Sequence, residues 1–212
     1  MRINDFQHQI ELIKQEVVND DRNYVQLLQT IGNNWRYDFI NQLSIYDKNP
    51  GATACAKFDF WRQNLNRTVM MGQKGIPIIE DYGYYQKVDH IFDVEQTISK
   101  NKEVNEVRIW KFKEEDQEII SNMILMEGQE VTGDLRGDFN TLIRLKSENI
   151  FSSLMNDLRI QEEDQGAFRE FLEQSALVSF STRLGISVEV DSIAFQKGLE
   201  RLDGISLMQV GD

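Results

Sequence analysis

The apolar residues of this chain change their spacing twice, and that change constrains the fold more than any other feature. In the first stretch they recur at intervals of three and four. Phe6, Ile10, Ile13 and Val17 make one helical face, with Asn4 or Asp5 as the expected cap. Asn19-Asp20-Asp21 interrupts it and caps a second helix carrying Tyr24, Leu27, Leu28 and Ile31, which Gly32 is expected to end. A third helix is predicted from Arg36 to Asp47 on Phe39, Ile40, Leu43 and Tyr46, and Asn49-Pro50-Gly51 stops it. A short helix is expected to hold Cys55, Phe58 and Trp61.

After Asn66 the pattern shortens. Thr68–Met71 and Ile76–Ile79 flank the turn Gly72-Gln73-Lys74-Gly75 and read as strands. Tyr82–Val88 and His90–Val94 read as a further strand pair, with Pro77 at a sheet edge because it cannot donate to a ladder. From Glu114 the helical spacing returns. Ile119, Ile120, Met123 and Ile124 form one face, and Gly128–Gly137 is a loop that includes Arg136-Gly137-Asp138 as a turn. Phe139, Leu142 and Ile143 begin a helix expected to break near Ser147. Phe168, Phe171, Leu172 and Ala176 mark a long helix to Gly185, and Ser192, Phe195, Leu199 and Leu202 mark a last one before Gly204. Strands do not alternate with helices, which argues against a doubly wound sheet. The expectation is an α+β chain, helix-rich, with a small central antiparallel sheet and a helical C-terminal part. A rise in charge density near Asn101 divides it into residues 1–100 and an acidic helical extension, 101–212, packed on or beside them.

Charge narrows the function. The 212 residues carry 23 Lys and Arg against 35 Asp and Glu, a net of −12, which argues against a generic DNA-coating protein. The balance is uneven. Lys48, Lys57, Arg62, Arg67 and Lys74 face the single acid Asp59 between Lys48 and Gly75, and three aromatics, Phe58, Phe60 and Trp61, lie among them. Residues 101–212 hold twelve basic and twenty-two acidic side chains, a net of −10. No apolar run reaches membrane-spanning length, and the first residues have no apolar signal core, so no membrane association is expected. One cysteine, Cys55, fits a reducing cytoplasm. Phosphate-loop, dinucleotide and nucleophile-elbow motifs are missing. His8 is followed by Glu11, but Leu12 breaks the zinc pattern, and His90 has no second histidine. No metal, cofactor or catalytic activity is expected. Asp20-Asp21 and Glu162-Glu163-Asp164 read as helix-start acids.

The central segment carries an ordered set of motifs. It runs Tyr37-Asp38-Phe39-Ile40-Asn41-Gln42-Leu43-Ser44-Ile45-Tyr46, Asn49-Pro50-Gly51-Ala52-Thr53, and Phe58 with Trp61. Met71-Gly72-Gln73-Lys74-Gly75-Ile76-Pro77-Ile78 and Ile91-Phe92-Asp93-Val94-Glu95-Gln96-Thr97 complete it. Over about residues 20–100 this set resembles the N-terminal single-stranded-DNA-binding domain of ArdC-type antirestriction proteins and LtrC-like conjugation proteins. Phe171–Ser175 through Arg183–Ile186 resembles a helical region that follows this module in very large mobile-element proteins with helicase or DNA methyltransferase parts. Two departures stand out. Met70-Met71 replaces the lysine pair common in the family, and no H-E-x-x-H of the metalloprotease-like domain is present.

The resemblance implies a non-catalytic single-stranded-DNA-binding module of a conjugation or antirestriction protein of a mobile element, either a stand-alone relative or the N-terminal part of a larger protein. Lys57, Arg62, Arg67 and Lys74 are the candidate phosphate contacts. Tyr46, Trp61 and Tyr84 are the candidate stacking platforms, and Asn41 and Gln42 the candidate hydrogen-bonding groups. For Tyr46 and Trp61 core packing is the favoured alternative, since aromatics at helical spacing usually face inward. The alternative is an acidic interaction or DNA-mimic module whose −10 half occupies the DNA site of a host restriction or defence protein.

Overall fold

The computed structural model describes residues 2–100, 107 and 109–211. Three helices come first: α1 (Ile3–Val18), α2 (Asp21–Asn33) and α3 (Phe39–Lys48). Then follow β1 (Cys55–Lys57), α4 (Phe58–Asn64), β2 (Arg67–Val69), β3 (Ile76–Asp81), β4 (Gln86–Asp93) and β5 (Thr97–Ser99). Helices α5 (Gln117–Met126), α6 (Leu135–Asp157), α7 (Gln165–Leu184), α8 (Ser192–Leu199) and α9 (Gly204–Gly211) complete the chain. The fold is α+β and helix-rich, with a small antiparallel sheet. Among the described residues no helix is long and apolar enough to cross a membrane.

Helix boundaries follow local chemistry with some shifts. Arg2 caps α1, earlier than Asn4 or Asp5, and the Asp5 carboxylate accepts the Arg2 N–H at 3.1 Å. Asp20 caps α2 by accepting the Arg22 N–H at 2.8 Å. Gly32 does not end α2. It lies inside the helix, where a Cβ would collide with the Ser179 carbonyl oxygen of α7. Helix α6 runs unbroken through Ser147, because that residue sits on the buried stripe between Ile143 and Phe151 at four-residue spacing. Arg136-Gly137-Asp138 is the first turn of α6 rather than a loop turn. In α5, Ile120 and Ile124 are buried while Ile119 and Met123 face outward. The stop at Gly204 is instead the start of α9, opened by Asp203, whose carboxylate accepts the Ser206 N–H at 2.7 Å.

The strands pair differently from their order in sequence. β4 is the centre of a three-stranded antiparallel sheet, β1-β4-β3, while β2 pairs with β5 in a separate ribbon. The two runs around the 72–75 turn therefore do not pair with each other. Nor do Tyr82–Val88 and His90–Val94 form a pair, since β4 runs continuously from Gln86 to Asp93. The hairpin reverses instead at Gly83, whose φ of 81° suits the first central position of a two-residue turn, and Tyr82 N–H donates to Tyr85 O at 3.0 Å. Pro77 lies on the edge strand β3, opposite His90.

One core joins the two ends of the chain. Phe6, Ile10, Ile13, Tyr24, Leu27, Phe39 and Leu43 from α1–α3 pack with Phe168, Phe171, Phe195 and Leu207 from α7–α9. The Tyr24 ring stacks on Phe171 at 5.2 Å between centroids, and its hydroxyl meets Ser175 Oγ at 3.0 Å. The boundary near residue 100 marks a change in element type, and the acidic helices share this core with the first three. A smaller cluster, including Ile120, Ile124, Phe139 and Leu142, ties α5 to α6. A third, including Ile45, Ile76, Ile78 and Ile91, seats the sheet on α3.

Candidate nucleic-acid interface

Five of the nine residues expected at a DNA surface are withdrawn into the protein, and four of them bond internally. Asn41 on α3 is buried. Its amide donates to Ile79 O at 2.9 Å and accepts the Ile79 N–H at 2.7 Å, as a neighbouring strand would. One turn on, Ser44 donates to Pro77 O at 2.6 Å. Helix α3 thus satisfies the outer edge of β3, whose backbone would otherwise be an open template. Gln42 is also buried and donates to Asn34 O at 3.3 Å. Tyr46 packs in the main core. Trp61 is 1% exposed, and its indole N–H donates to Phe92 O at 2.9 Å. Arg67 is buried too. Its guanidinium donates to Thr97 Oγ1 at 2.7 Å and Thr97 O at 2.9 Å, closing the β2–β5 ribbon.

The other four reach the surface in different settings. Lys57 pairs with Glu80 and with Asp89 at 3.3 Å, and the hydrogen bond to Glu80 holds its ammonium above the ordinary value. Its charge is largely neutralised within the sheet. Tyr84 is 88% exposed at the hairpin tip, where Tyr82 and Tyr85 stack at 4.9 Å with planes 10° apart. Glu80, Asp81 and Asp89 stand close by, a poor setting for a phosphate backbone. Arg62 and Lys74 are exposed and make no ion pair among the described residues.

Around these two cations the structure assembles a surface that the motif reading left out. Helix α4 buries Trp61 and turns Phe58 and Phe60 outward, 43% and 46% exposed. Arg62 follows Phe58 by four residues and shares its helix face. The Phe58 ring meets Phe92 edge-on at 6.5 Å. A Cβ at Gly75 would come within 3.1 Å of the Phe92 ring, so the turn runs close beside it. Gln96 fixes that turn by donating to Lys74 O at 2.9 Å. Met71, fully exposed, and the half-exposed Met70 extend the apolar surface at the turn where the resembled family commonly has lysines. Two aromatic rings, a guanidinium and an ammonium thus lie around α4 and the 72–75 turn. The signal for Phe58 and Phe60 was present in the basic island, but three aromatics within four residues do not reveal which one turns inward.

The residues that carry the family resemblance are mostly joints of the fold. Asp93 is fully buried. Its carboxylate accepts the Thr53 N–H at 2.8 Å, the Ala54 N–H at 2.9 Å and the Glu95 N–H at 2.9 Å. Asn34 donates to Ala52 O at 3.0 Å, and Thr30 donates to Pro50 O at 3.1 Å. These bonds lock the 49–54 turn between α2 and β4. Among the described residues no group of three His, Cys, Asp or Glu side chains gathers as a cation site would need. Comparison with known protein families, curated proteins and solved structures gives no match to this chain.

Proposed function

We propose that this chain is a non-catalytic module that binds single-stranded DNA, of the kind found in conjugation and antirestriction proteins of mobile elements. The DNA contact in this reading is the face of α4 and the 72–75 turn. One observation carries it: Phe58 and Arg62 share a face of α4, and Lys74 is tied down beside the Phe92 ring that Phe58 touches. Exposed rings stack on bases without regard to sequence, and unpaired cations track the phosphates. The sparse charge, with Met70-Met71 on the turn, sets the expected affinity in the micromolar range typical of non-specific electrostatic binding.

The test is fluorescence anisotropy with a labelled single-stranded oligonucleotide titrated with salt, and duplex as control. Log affinity should fall linearly with log salt. The Arg62→Ala/Lys74→Ala variant should flatten that slope by about 1.4, at about 0.7 per phosphate contact. Phe58→Ala should weaken binding by about 1–3 kcal/mol with an unchanged Tm. Trp61→Ala, by contrast, should cost about 3–5 kcal/mol of stability, because it empties a core position. If the parent binds no single strand even at low salt, the DNA reading fails. The acidic half, −10 over residues 101–212, then becomes the working surface, directed at a partner's DNA site.

A further inference from the structure

A second site lies at the other end of β1. Trp35 and Trp110, 54% and 52% exposed, line a cavity of about 330 Å³ together with Arg36 and Arg183, and Asn33 and Thr53 are among its polar walls. The chain is anchored just before Trp35. Its neighbour Asn34 is buried and bonded on both sides of its amide, donating to Ala52 O at 3.0 Å and accepting the Cys55 N–H at 3.3 Å. Two guanidinium groups lie over the Trp35 ring, Arg36 at 5.3 Å and Arg183 at 5.9 Å from its centroid. Lys111 adds a third cation by donating to Thr182 O at 3.0 Å beside Arg183. Burial and the Arg183 charge hold the Lys111 ammonium below its ordinary value. Among the described residues none of these three cations pairs with a carboxylate, although the chain carries a net −12. Two guanidinium groups over an exposed aromatic ring, with an ammonium beside them, suit an aromatic ligand that carries a negative charge.

We infer that this cavity holds one nucleotide of the bound single strand, its base against Trp35 and its phosphate on Arg36 and Arg183. The inference rests on the single-strand reading and extends it. Cys55 lines the cavity, and β1 runs from Cys55 to Lys57, immediately before Phe58, so about 10 Å of extended backbone joins the cavity wall to the start of α4.

Two probes test it: a 5′-phosphorylated thymidine dinucleotide read by tryptophan fluorescence, and a labelled twelve-residue oligo-dT read by anisotropy. Trp61 is buried, so contact quenching reports on Trp35 and Trp110. The dinucleotide should quench the parent saturably. Trp35→Phe should lose most of the quenching while keeping its fold, and Arg36→Gln/Arg183→Gln should weaken both probes at least tenfold with an unchanged Tm. Twelve-mer binding without quenching, unchanged in the double arginine variant, would overturn the cavity and leave the α4 surface standing. Saturable quenching with twelve-mer binding indifferent to Phe58→Ala and Arg62→Ala would uphold the cavity and remove α4. Failure of both probes on the folded parent would overturn both sites.

Discussion

Asn41 behaves as a piece of strand carried on a helix. Its side-chain amide offers one donor and one acceptor to Ile79, and both are used. Asn41→Leu keeps the branching at Cγ but leaves a buried N–H and a buried C=O without partners. The expected cost is about 3 kcal/mol, read from the denaturant midpoint. Asp138 plays a comparable part at the start of α6. It is buried, and it accepts the Thr132 N–H and Oγ1–H, each at 2.8 Å, and the Gly133 N–H at 3.2 Å. Burial opposes its charge, but these bonds prevail and hold the carboxyl below its ordinary value of 3.8. Its folded pKa is depressed, so its contribution is present above the unfolded value and is lost as pH falls through the folded one. Asp138→Asn should therefore be less stable than the parent at neutral pH, and the difference should shrink in acid below about pH 4. A gap that stays constant down to pH 2 would refute the ionic role.

At the scale of elements, the contact between α2 and α7 has a fixed closeness. Gly32 faces the Ser179 carbonyl, a backbone group that cannot swing aside, and Thr182 adds a side-chain contact at 3.0 Å from the position a Cβ would take. Gly32→Ala gains helix propensity but forces the two helices apart. Overpacking costs about 1–3 kcal/mol and outweighs the propensity gain of up to about 1 kcal/mol. The expected result is a lower denaturant midpoint with an unchanged slope; a stabilised variant would mean that the helices part easily. The same closeness explains why a glycine that looks like a helix stop sits one residue inside α2. Its reason is a neighbour 147 positions away in sequence, and no local pattern encodes that.

The whole molecule is built so that the first and last helices need one another. Tyr24 on α2 is enclosed by Phe171 and Phe195, with ring centroids at 5.2 and 5.6 Å. A fragment of residues 1–100 lacks α7–α9 and exposes the inner faces of α1, α2 and α3. Such a fragment is expected to melt without a cooperative transition by circular dichroism, whereas the full chain melts in one step. A sharp transition in the fragment would show that the sheet and α3 form a self-sufficient unit. The change in composition near residue 100 suggests a boundary because charge is read along the chain. Cores are shared in space, and the packing of α7 on α2 spans that boundary.

The sequence by itself determined the kind of each long element, because apolar spacing records which face is buried. Phe6 to Val17, Tyr24 to Leu28 and Phe168 to Leu172 fell on the inner faces of their helices, and Pro77 took an edge strand for want of an N–H. The aromatic and basic composition of residues 57–74 was equally legible. Tertiary structure decided which of those side chains face water: Trp61 went inward and Phe58 and Phe60 outward, Arg67 became a clamp, and Asn41 became an edge cap. It also set the strand partners, joining β2 to β5 across nearly thirty residues, and brought Arg183 over Trp35. Local spacing reports periodic burial. Partner choice and exposure depend on groups distant in sequence whose positions only the folded chain supplies.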